Sequence, residues 1–205
     1  MSNELIQLIV KGRNQSFGSE VEHLREQDQP VSIEGATFKK LTIQGFHFKG
    51  VDLSNVEIDS CTLEQCTLES CQLDGMFIYG TTLLGCTFVN NQGEGFALEA
   101  CTFKDVTFNG GVWESCEWSD TSFDACTLSE LSLPEAMWER LTFKACQLNT
   151  TTLVDAELSY VTLRQSHAQG LTLNECDIDH SYVVQPADDH IPEGFSKKSG
   201  KRRQL

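Results

Sequence analysis

The chain has 205 residues, with 15 Lys and Arg against 30 Asp and Glu, and its formal net charge is −15. This length suits one sizeable domain, and the excess of acid disfavours direct binding to nucleic acid, because phosphates would be repelled. No apolar run of about 18 residues occurs, so no membrane-spanning helix is expected. The N-terminus also lacks the basic leader and the small-residue cleavage site of a secretory signal. We therefore expect a cytoplasmic protein whose nine cysteines stay reduced.

Residues 1–30 show no repeat. The apolar residues between Leu5 and Val10 fit one side of a short helix, and a polar segment follows up to Pro30. We interpret this segment as a partly helical N-terminal cap, because a stack of repeats must cover its open ends. A frayed tail is the alternative.

Residues 31–185 repeat with a period of five. Positions whose numbers end in 3 or 8 form 31 consecutive sites from Ile33 to Val183, and only Gly93 and Ala168 among them are not large and apolar. Helices repeat every 3.6 residues and simple strands every 2, so neither explains this period. A solenoid does explain it, because each unit buries its large side chain only by stacking on its neighbours.

A second column of smaller residues lies two positions before each large apolar residue. All nine cysteines occupy this column: Cys61, Cys66, Cys71, Cys86, Cys101, Cys116, Cys126, Cys146 and Cys176. Thr dominates the position between the two columns. Gly, Ser, Asn or Asp often fills the fifth position, where a tight corner is needed.

The units CTLEQ, CTLES, CTFKD, CTLSE and AELSY resemble the pentapeptide-repeat family, whose consensus is roughly A(D/N)LXX with Cys common in place of Ala. The resemblance covers residues 31–185. It implies an all-β fold, a right-handed quadrilateral parallel β-helix with one pentapeptide per face and four per coil. Seven to eight coils at a spacing of ~4.8 Å would give a rod roughly 37 Å long.

Residues 186–205 contain two prolines and few apolar residues, and five of the 15 basic residues of the chain lie in the last nine positions. We expect this segment to be a disordered basic tail.

The cysteine spacing does not predict a metal site. Zinc sites usually contain close pairs such as C-x2-C, and none occurs here. In the implied coil, Cys61, Cys66 and Cys71 lie on successive faces and pack as small hydrophobic residues. Cys66 and Cys86 lie one coil apart, as do Cys126 and Cys146, but parallel stacking keeps their Cβ atoms near ~4.8 Å rather than the ~3.8 Å of a disulfide.

No catalytic or cofactor-binding pattern is present either. The five histidines are scattered, no nucleophile lies at a repeat-compatible distance from a base, and NNQGEG at 90–95 has no Walker lysine. We therefore expect no enzyme activity and no cofactor.

The surface charge divides the implied rod into two sides when the sequence is folded at a period of twenty. The first acidic face, centred on Leu53, Leu73, Trp113 and Leu133, has no Lys or Arg, and the second acidic face, centred on Ile58, Ile78, Trp118 and Trp138, has three. We name their 17 carboxylates the acidic strip and propose it as a protein-binding surface: Glu34, Asp52, Asp74, Glu94, Glu114, Glu135, Asp155 and Glu175 on the first face, and Glu57, Asp59, Glu99, Glu117, Asp120, Glu139, Glu157, Asp177 and Asp179 on the second. The other two faces are rich in Thr and nearly neutral. A solvating charged surface is the alternative interpretation.

Exposed apolar residues are expected on the second acidic face. Phe77 and Tyr79 form a local pair that could anchor a protein partner, and Met137 and Tyr160 project from the same face. This assignment assumes that residues 91–95 and 166–170 are degenerate repeats. If either were an extruded loop, every later residue would move to the next face.

Two functions follow from the resemblance. Family members of the quinolone-resistance type resemble B-form DNA in width and charge and bind the DNA-gate saddle of gyrase or topoisomerase IV, and the acidity of this rod fits that role. Those relatives commonly form homodimers through an apolar C-terminal helix and carry loops that break the coil, whereas this chain ends in a basic tail and keeps its period. The alternative is a protein-interaction scaffold, such as an adaptor or a secretion-associated effector.

Overall fold

The computed structural model describes residues 2–198, in which two helices precede a long run of short strands. The helices are α1 (Ser2–Val10) and α2 (Asn14–Glu26). Their apolar faces are buried against the first coil, and the Phe17 ring of α2 meets the rings of Phe46 at 5.5 Å and Phe48 at 5.2 Å. Helix α2 also covers the exposed edge of that coil, because Asn14 Nδ2 donates hydrogen bonds to the carbonyl oxygens of Gln44 and Gly45.

The strands are stacked into three parallel sheets. The first is made of β1 (Thr37–Lys39), β4 (Glu57–Asp59), β7 (Phe77–Tyr79), β10 (Ala97–Glu99), β13 (Glu117–Ser119), β16 (Met137–Glu139), β20 (Glu157–Ser159) and β23 (Asp177–Asp179). The second is made of β2 (Thr42–Gln44), β5 (Thr62–Glu64), β8 (Thr82–Leu84), β11 (Thr102–Lys104), β14 (Ser122–Asp124), β17 (Thr142–Lys144), β21 (Thr162–Arg164), β24 (Tyr182–Val184) and β25 (Ser196–Lys198). The third is made of β3 (His47–Lys49), β6 (Thr67–Glu69), β9 (Thr87–Glu94), β12 (Thr107–Glu114), β15 (Thr127–Pro134), β18 (Gln147–Asn149), β19 (Thr151–Val154) and β22 (Leu171–Asn174).

These strands wind into a four-faced β-solenoid of about seven coils. The first sheet forms the second acidic face. The second sheet forms one of the two nearly neutral faces, which we name the first threonine-rich face. The third sheet forms the other neutral face, the second threonine-rich face, together with the first acidic face. Up to β24, paired strand residues are twenty positions apart, as in Ile58 with Ile78 and Trp118 with Trp138. The solenoid predicted from the period of five is therefore confirmed.

The two irregular units keep this register. Gln92 pairs with Val112 and Gly93 with Trp113, and His167 pairs with Gln147 one coil earlier. Residues 91–95 and 166–170 are thus degenerate repeats and not extruded loops. The assignment of downstream residues to faces holds from one end of the solenoid to the other.

The interior is filled by stacked large side chains. Phe103 and Phe123 stack at 4.9 Å, Phe123 and Phe143 at 4.6 Å, and the Trp118 and Trp138 indoles at 5.4 Å. Such contacts between like residues of successive coils bury apolar area that no single repeat could bury alone.

Gly93 breaks the apolar column because its neighbours need its space. A Cβ atom at Gly93 would lie 2.8 Å from the carbonyl carbon of Leu73. The Trp113 indole of the next coil instead packs edge-on against Phe88 and Phe96, with distances between ring centres of 6.2 Å and 5.3 Å. Its Nε1 donates a hydrogen bond to the carbonyl oxygen of Asn91. Trp113 therefore fills the space that two ordinary apolar residues, one at position 93 and one at position 113, would fill.

The prediction of a disordered tail over 186–205 is wrong for residues 186–198. Phe195 is buried, Ile191 is partly buried, and β25 pairs with β24, so this segment covers part of the C-terminal end. The Lys198 ammonium lies 3.1 Å from the centre of the Tyr182 ring. Ile191 and Phe195 are the large apolar residues of this segment, and they are ordered because they cover apolar surface at the open end of the solenoid. Residues 199–205 lie outside the described part of the chain.

Candidate functional site

The cysteines belong to the core. Eight of the nine thiols are buried and Cys176 is partly buried, all unpaired, which confirms that they pack as small residues. Cys61 Sγ donates to the carbonyl oxygens of Phe38 and Asp59, both at 3.4 Å. Thr81 occupies the next site in the same column, and its hydroxyl donates to the equivalent carbonyl groups. Cysteine and threonine at these two positions therefore donate equivalent hydrogen bonds to the backbone.

Burial makes Cys71, Cys101 and Cys116 poor nucleophiles. It raises the pKa of Cys71 and Cys101 to about 11 and that of Cys116 to about 12. The neighbouring sulfur, followed by burial, raises the pKa of Cys86 and Cys126 as well. Within residues 2–198, no three His, Cys, Asp or Glu side chains lie close enough together to hold a metal ion.

The structure places all 17 carboxylates of the acidic strip on the two adjacent faces, when each corner is counted with the face that precedes it. Asp74, Glu94 and Glu114 form one column, in which Glu94 pairs with Glu114 and its amide donates to Asp74 Oδ1 at 2.8 Å. Glu135 and Asp155 occupy successive corners beside that column. Both columns lie along the edge between the first and second acidic faces.

Ion pairs interrupt the strip at two places on the second acidic face. Lys39 Nζ lies 3.0 Å from Glu57 and 3.5 Å from Asp59. Arg140 binds Asp120 through two hydrogen bonds of 2.6 and 2.8 Å, which lowers the pKa of that carboxyl group, and it also contacts Glu139. Among residues 2–198, the first acidic face has no carboxylate paired with Lys or Arg.

The opposite side of the solenoid neutralises several of its acids locally. On the first threonine-rich face, Lys144 pairs with Asp124 at 2.8 Å. On the second threonine-rich face, Glu69 is contacted by Lys49 at 3.2 Å and by His47 at 2.8 Å. The unpaired negative charge is therefore concentrated on the two acidic faces.

The aromatic pair lies among carboxylates of the second acidic face. Tyr79 is 41% exposed and Phe77 is partly buried, and their ring centres are 6.2 Å apart. Tyr79 stacks between Asp59 of the preceding coil and Glu99 of the next. Of the other two apolar residues predicted on this face, Met137 is 44% exposed, and Tyr160 is 53% exposed and stacks on His180 at 5.0 Å.

The incomplete C-terminal coil was not predicted from the sequence. Residues 190–195 cross the end of the solenoid, and the strand edges of β22 and β23 have no following strand in the described chain. The signal in the sequence is the loss of the period of five after Val183, where Ile191 and Phe195 fall out of register.

None of the helices within residues 2–198 is both long and apolar enough to cross a membrane.

Comparison with known proteins agrees with this geometry. Residues 61–138 match the pentapeptide repeat region family. A trypsin-treated variant of QnrB1, a plasmid-mediated fluoroquinolone resistance protein, has a similar structure, with a TM-score of 0.68, 17% identity, and coverage of 81% of this chain and 83% of that one. A second trypsin-treated QnrB1 variant gives a TM-score of 0.61, 16% identity, and coverage of 83% and 92%.

No curated protein matches the chain significantly in sequence. At these identities the likeness to QnrB1 concerns the fold alone. Residues 61–138 therefore match a pentapeptide repeat region, and the register of twenty and the four-faced coil continue the same solenoid fold on both sides of that region.

Proposed function

We propose that this chain is a non-catalytic protein-binding rod of the cytoplasm. Its two acidic faces would occupy the basic DNA-binding surface of a type II topoisomerase, gyrase or topoisomerase IV, and so modulate the enzyme or protect it from inhibitors. The observation that carries this proposal is the one-sided distribution of unpaired carboxylates along the solenoid.

The charge density of these faces is close to that of DNA. The 17 acids and three bases of the two faces leave a net charge of −14. Seven coils at ~4.8 Å span roughly 34 Å, so about one negative charge occurs per 2.4 Å of axis. Duplex DNA has one per ~1.7 Å. A basic groove that binds DNA would therefore meet a surface of comparable charge on a rigid rod.

The stacked carboxylates also favour a cationic partner. Successive coils place Glu94 and Glu114 in direct register, and they place Glu135 and Asp155 at successive corners. Two like charges about 4 Å apart repel by about 1 kcal/mol in water, and by more when water is excluded. Lys or Arg side chains of a partner would remove this repulsion, so association should be fast at low salt and weaken as salt increases.

The fold of QnrB1 supports the choice of assay. QnrB1 is described as a fluoroquinolone resistance protein, and its coil superposes on most of this chain. Fluoroquinolone-inhibited topoisomerase is therefore the first target to test.

A second candidate function is a scaffold that binds an unrelated protein through Phe77 and Tyr79. The exposed Tyr79 ring beside carboxylates of both neighbouring coils favours it, because aromatic residues within a polar rim commonly anchor interfaces. Such a scaffold would serve as an adaptor or a secretion-associated effector, without any role at a topoisomerase.

A supercoiling assay separates the two functions. Purified chain at micromolar concentration is added to gyrase with and without a fluoroquinolone. The topoisomerase proposal predicts inhibition of supercoiling, or recovery of supercoiling in the presence of the drug. No change under either condition would reject it. The scaffold would then require a partner that binds the wild-type chain and is lost on Phe77→Ala/Tyr79→Ala.

A further inference from the structure

The last coil of the solenoid is too short to follow all four faces. Tyr182 pairs with Ser196, so this coil has 14 residues, whereas the preceding coil pairs Thr162 with Tyr182 across 20. The chain follows the second threonine-rich face to about residue 189 and then crosses the end directly to β25. In the described chain, β22 on the first acidic face and β23 on the second are consequently the outermost strands.

Core residues beneath these two strands are left partly uncovered. Leu173, Cys176 and Ile178 are partly buried. Their counterparts one coil earlier are 0–1% exposed, namely Leu153, Ala156 and Leu158 respectively. A notch of about 410 Å³ opens between this edge and the crossing segment, and a depression of about 420 Å³ continues along β20 and β23, with Ile178 lining both. This end of the solenoid therefore has unpaired strand edges beside exposed apolar surface.

The rim of the notch is acidic. Glu175 and Glu193 line the notch, Asp177 and Asp179 line the adjoining depression, and none of the four pairs with Lys or Arg within residues 2–198. The Asp179 carboxylate lies 2.6 Å from the imidazole of its neighbour His180. A second copy of this chain would bring these carboxylates against their own equivalents, which opposes end-to-end self-association. Charge complementarity favours a basic occupant.

We propose that the open edge of β23 binds an extended basic segment of a partner protein, which adds a ninth strand to the second acidic face. The internal coils define the register, since Glu157, Leu158 and Ser159 pair with Asp177, Ile178 and Asp179. A bound segment would place an apolar side chain over Ile178 and Lys or Arg over Asp177 and Asp179. Backbone hydrogen bonds to an open edge supply affinity, and alternate side chains supply specificity. This site lies at the end of the rod and does not depend on the topoisomerase proposal.

The test uses a fluorescein-labelled peptide, Thr-Leu-Thr-Gly-Ala-Lys-Leu-Lys-Gly, which continues both acidic faces by one coil. Its binding to the full chain is followed by fluorescence anisotropy at low salt, with a control peptide that has Glu in place of both Lys. We expect Asp177→Lys/Asp179→Lys to weaken binding at least tenfold. The matched variant Glu99→Lys/Glu117→Lys, with the same charge change on the same face but remote from the edge, should stay within twofold of the wild type.

Amide hydrogen exchange of the wild-type chain gives a second readout. The peptide should slow exchange of the amides of Ile178 and His180, which point to the open edge, at least tenfold and leave that of Asp177, which already donates to the Ala156 carbonyl oxygen, unchanged. Equal loss of affinity in the two variants would show attraction to charge alone, and unchanged exchange at Ile178 and His180 would show that no strand is added. Either result would overturn the proposal. A wild-type chain that sediments as a dimer would also overturn it, if Asp177→Lys/Asp179→Lys converts that dimer to a monomer.

Discussion

Corner residues are the most demanding positions of this fold at the scale of the single residue. Nearly every fifth residue has a left-handed backbone conformation, and most of these residues are not glycine, as at Gln65 (φ 51°), Ala100 (φ 54°) and Tyr160 (φ 57°). A side chain in this region costs about 1–2 kcal/mol, and the loss is offset by the stacking that each corner permits. The period in the sequence predicts where the corners lie, but not which residues tolerate this conformation.

Ala100→Gly is expected to stabilise the protein by about 0.5–1 kcal/mol, because glycine adopts the left-handed region without steric cost. Ala97→Gly, on the strand of the same coil, should instead destabilise it by a similar amount through lost backbone restriction. Thermal unfolding of the two variants under one condition checks the sign. A destabilised Ala100→Gly protein would show that the corners are not strained.

The buried thiols make stability depend on alkaline pH. Burial raises the pKa of Cys116 to about 12, while the unfolded thiol ionises near ~8.5. At alkaline pH the folded chain therefore retains a proton that the unfolded chain loses. The contribution of Cys116 to the free energy of unfolding is complete below pH ~8.5 and decreases as the pH rises toward the pKa of the folded chain. Urea unfolding at pH 8 and pH 10 measures it. Between these two pH values, the free energy of unfolding should decrease by about 2 kcal/mol less in Cys116→Ala than in the wild type. An equal decrease in both proteins would argue against burial of this thiol.

At the scale of the element, both ends of the solenoid are covered, but by different means. Helix α2 closes the N-terminal end with Phe17 and with hydrogen bonds from Asn14 to the first coil. The C-terminal end is closed only in part, by Phe195 and β25. Local apolar spacing between Leu5 and Val10 was sufficient to predict a helical cap at α1, but α2 lies in the segment that was interpreted as polar and was not predicted. The C-terminal cap could not be predicted, because two apolar residues among polar ones have no periodicity, and only the uncovered core at the end explains why they are ordered.

Phe17→Ala is expected to destabilise the protein by about 3–5 kcal/mol, since it removes the ring that packs on Phe46 and Phe48 and uncovers the first coil. Val10→Ala changes a side chain that is 46% exposed on α1 and should alter the free energy of unfolding by less than about 0.5 kcal/mol. Chemical denaturation of both variants measures the difference. Similar small effects would mean that the helices do not act as a cap.

At the scale of the whole molecule, a strict register converts a linear pattern into a two-sided charge distribution. The sequence period was enough to predict the coil and the face of each carboxylate, because Gly93 and Ala168 keep their places in the register. The ion pairs of Lys39 and Arg140, which neutralise part of the second acidic face, depend on side-chain reach between coils and could not be predicted. The first acidic face is thereby the more continuous negative surface.

We propose that the acidic faces, and not acidity in general, bind the DNA-binding surface of a topoisomerase. Glu114→Lys/Asp155→Lys changes one strand residue and one corner aspartate on the first acidic face. Glu64→Lys/Asp105→Lys changes one strand residue and one corner aspartate on the first threonine-rich face, with the same net charge change.

The most direct measurement is the affinity of these two variants and the wild type for gyrase at low salt. We expect at least tenfold weaker binding for Glu114→Lys/Asp155→Lys, about 1.4 kcal/mol or more, and less than a twofold change for Glu64→Lys/Asp105→Lys. Equal affinities for all three proteins, or equal losses in both variants, would contradict it.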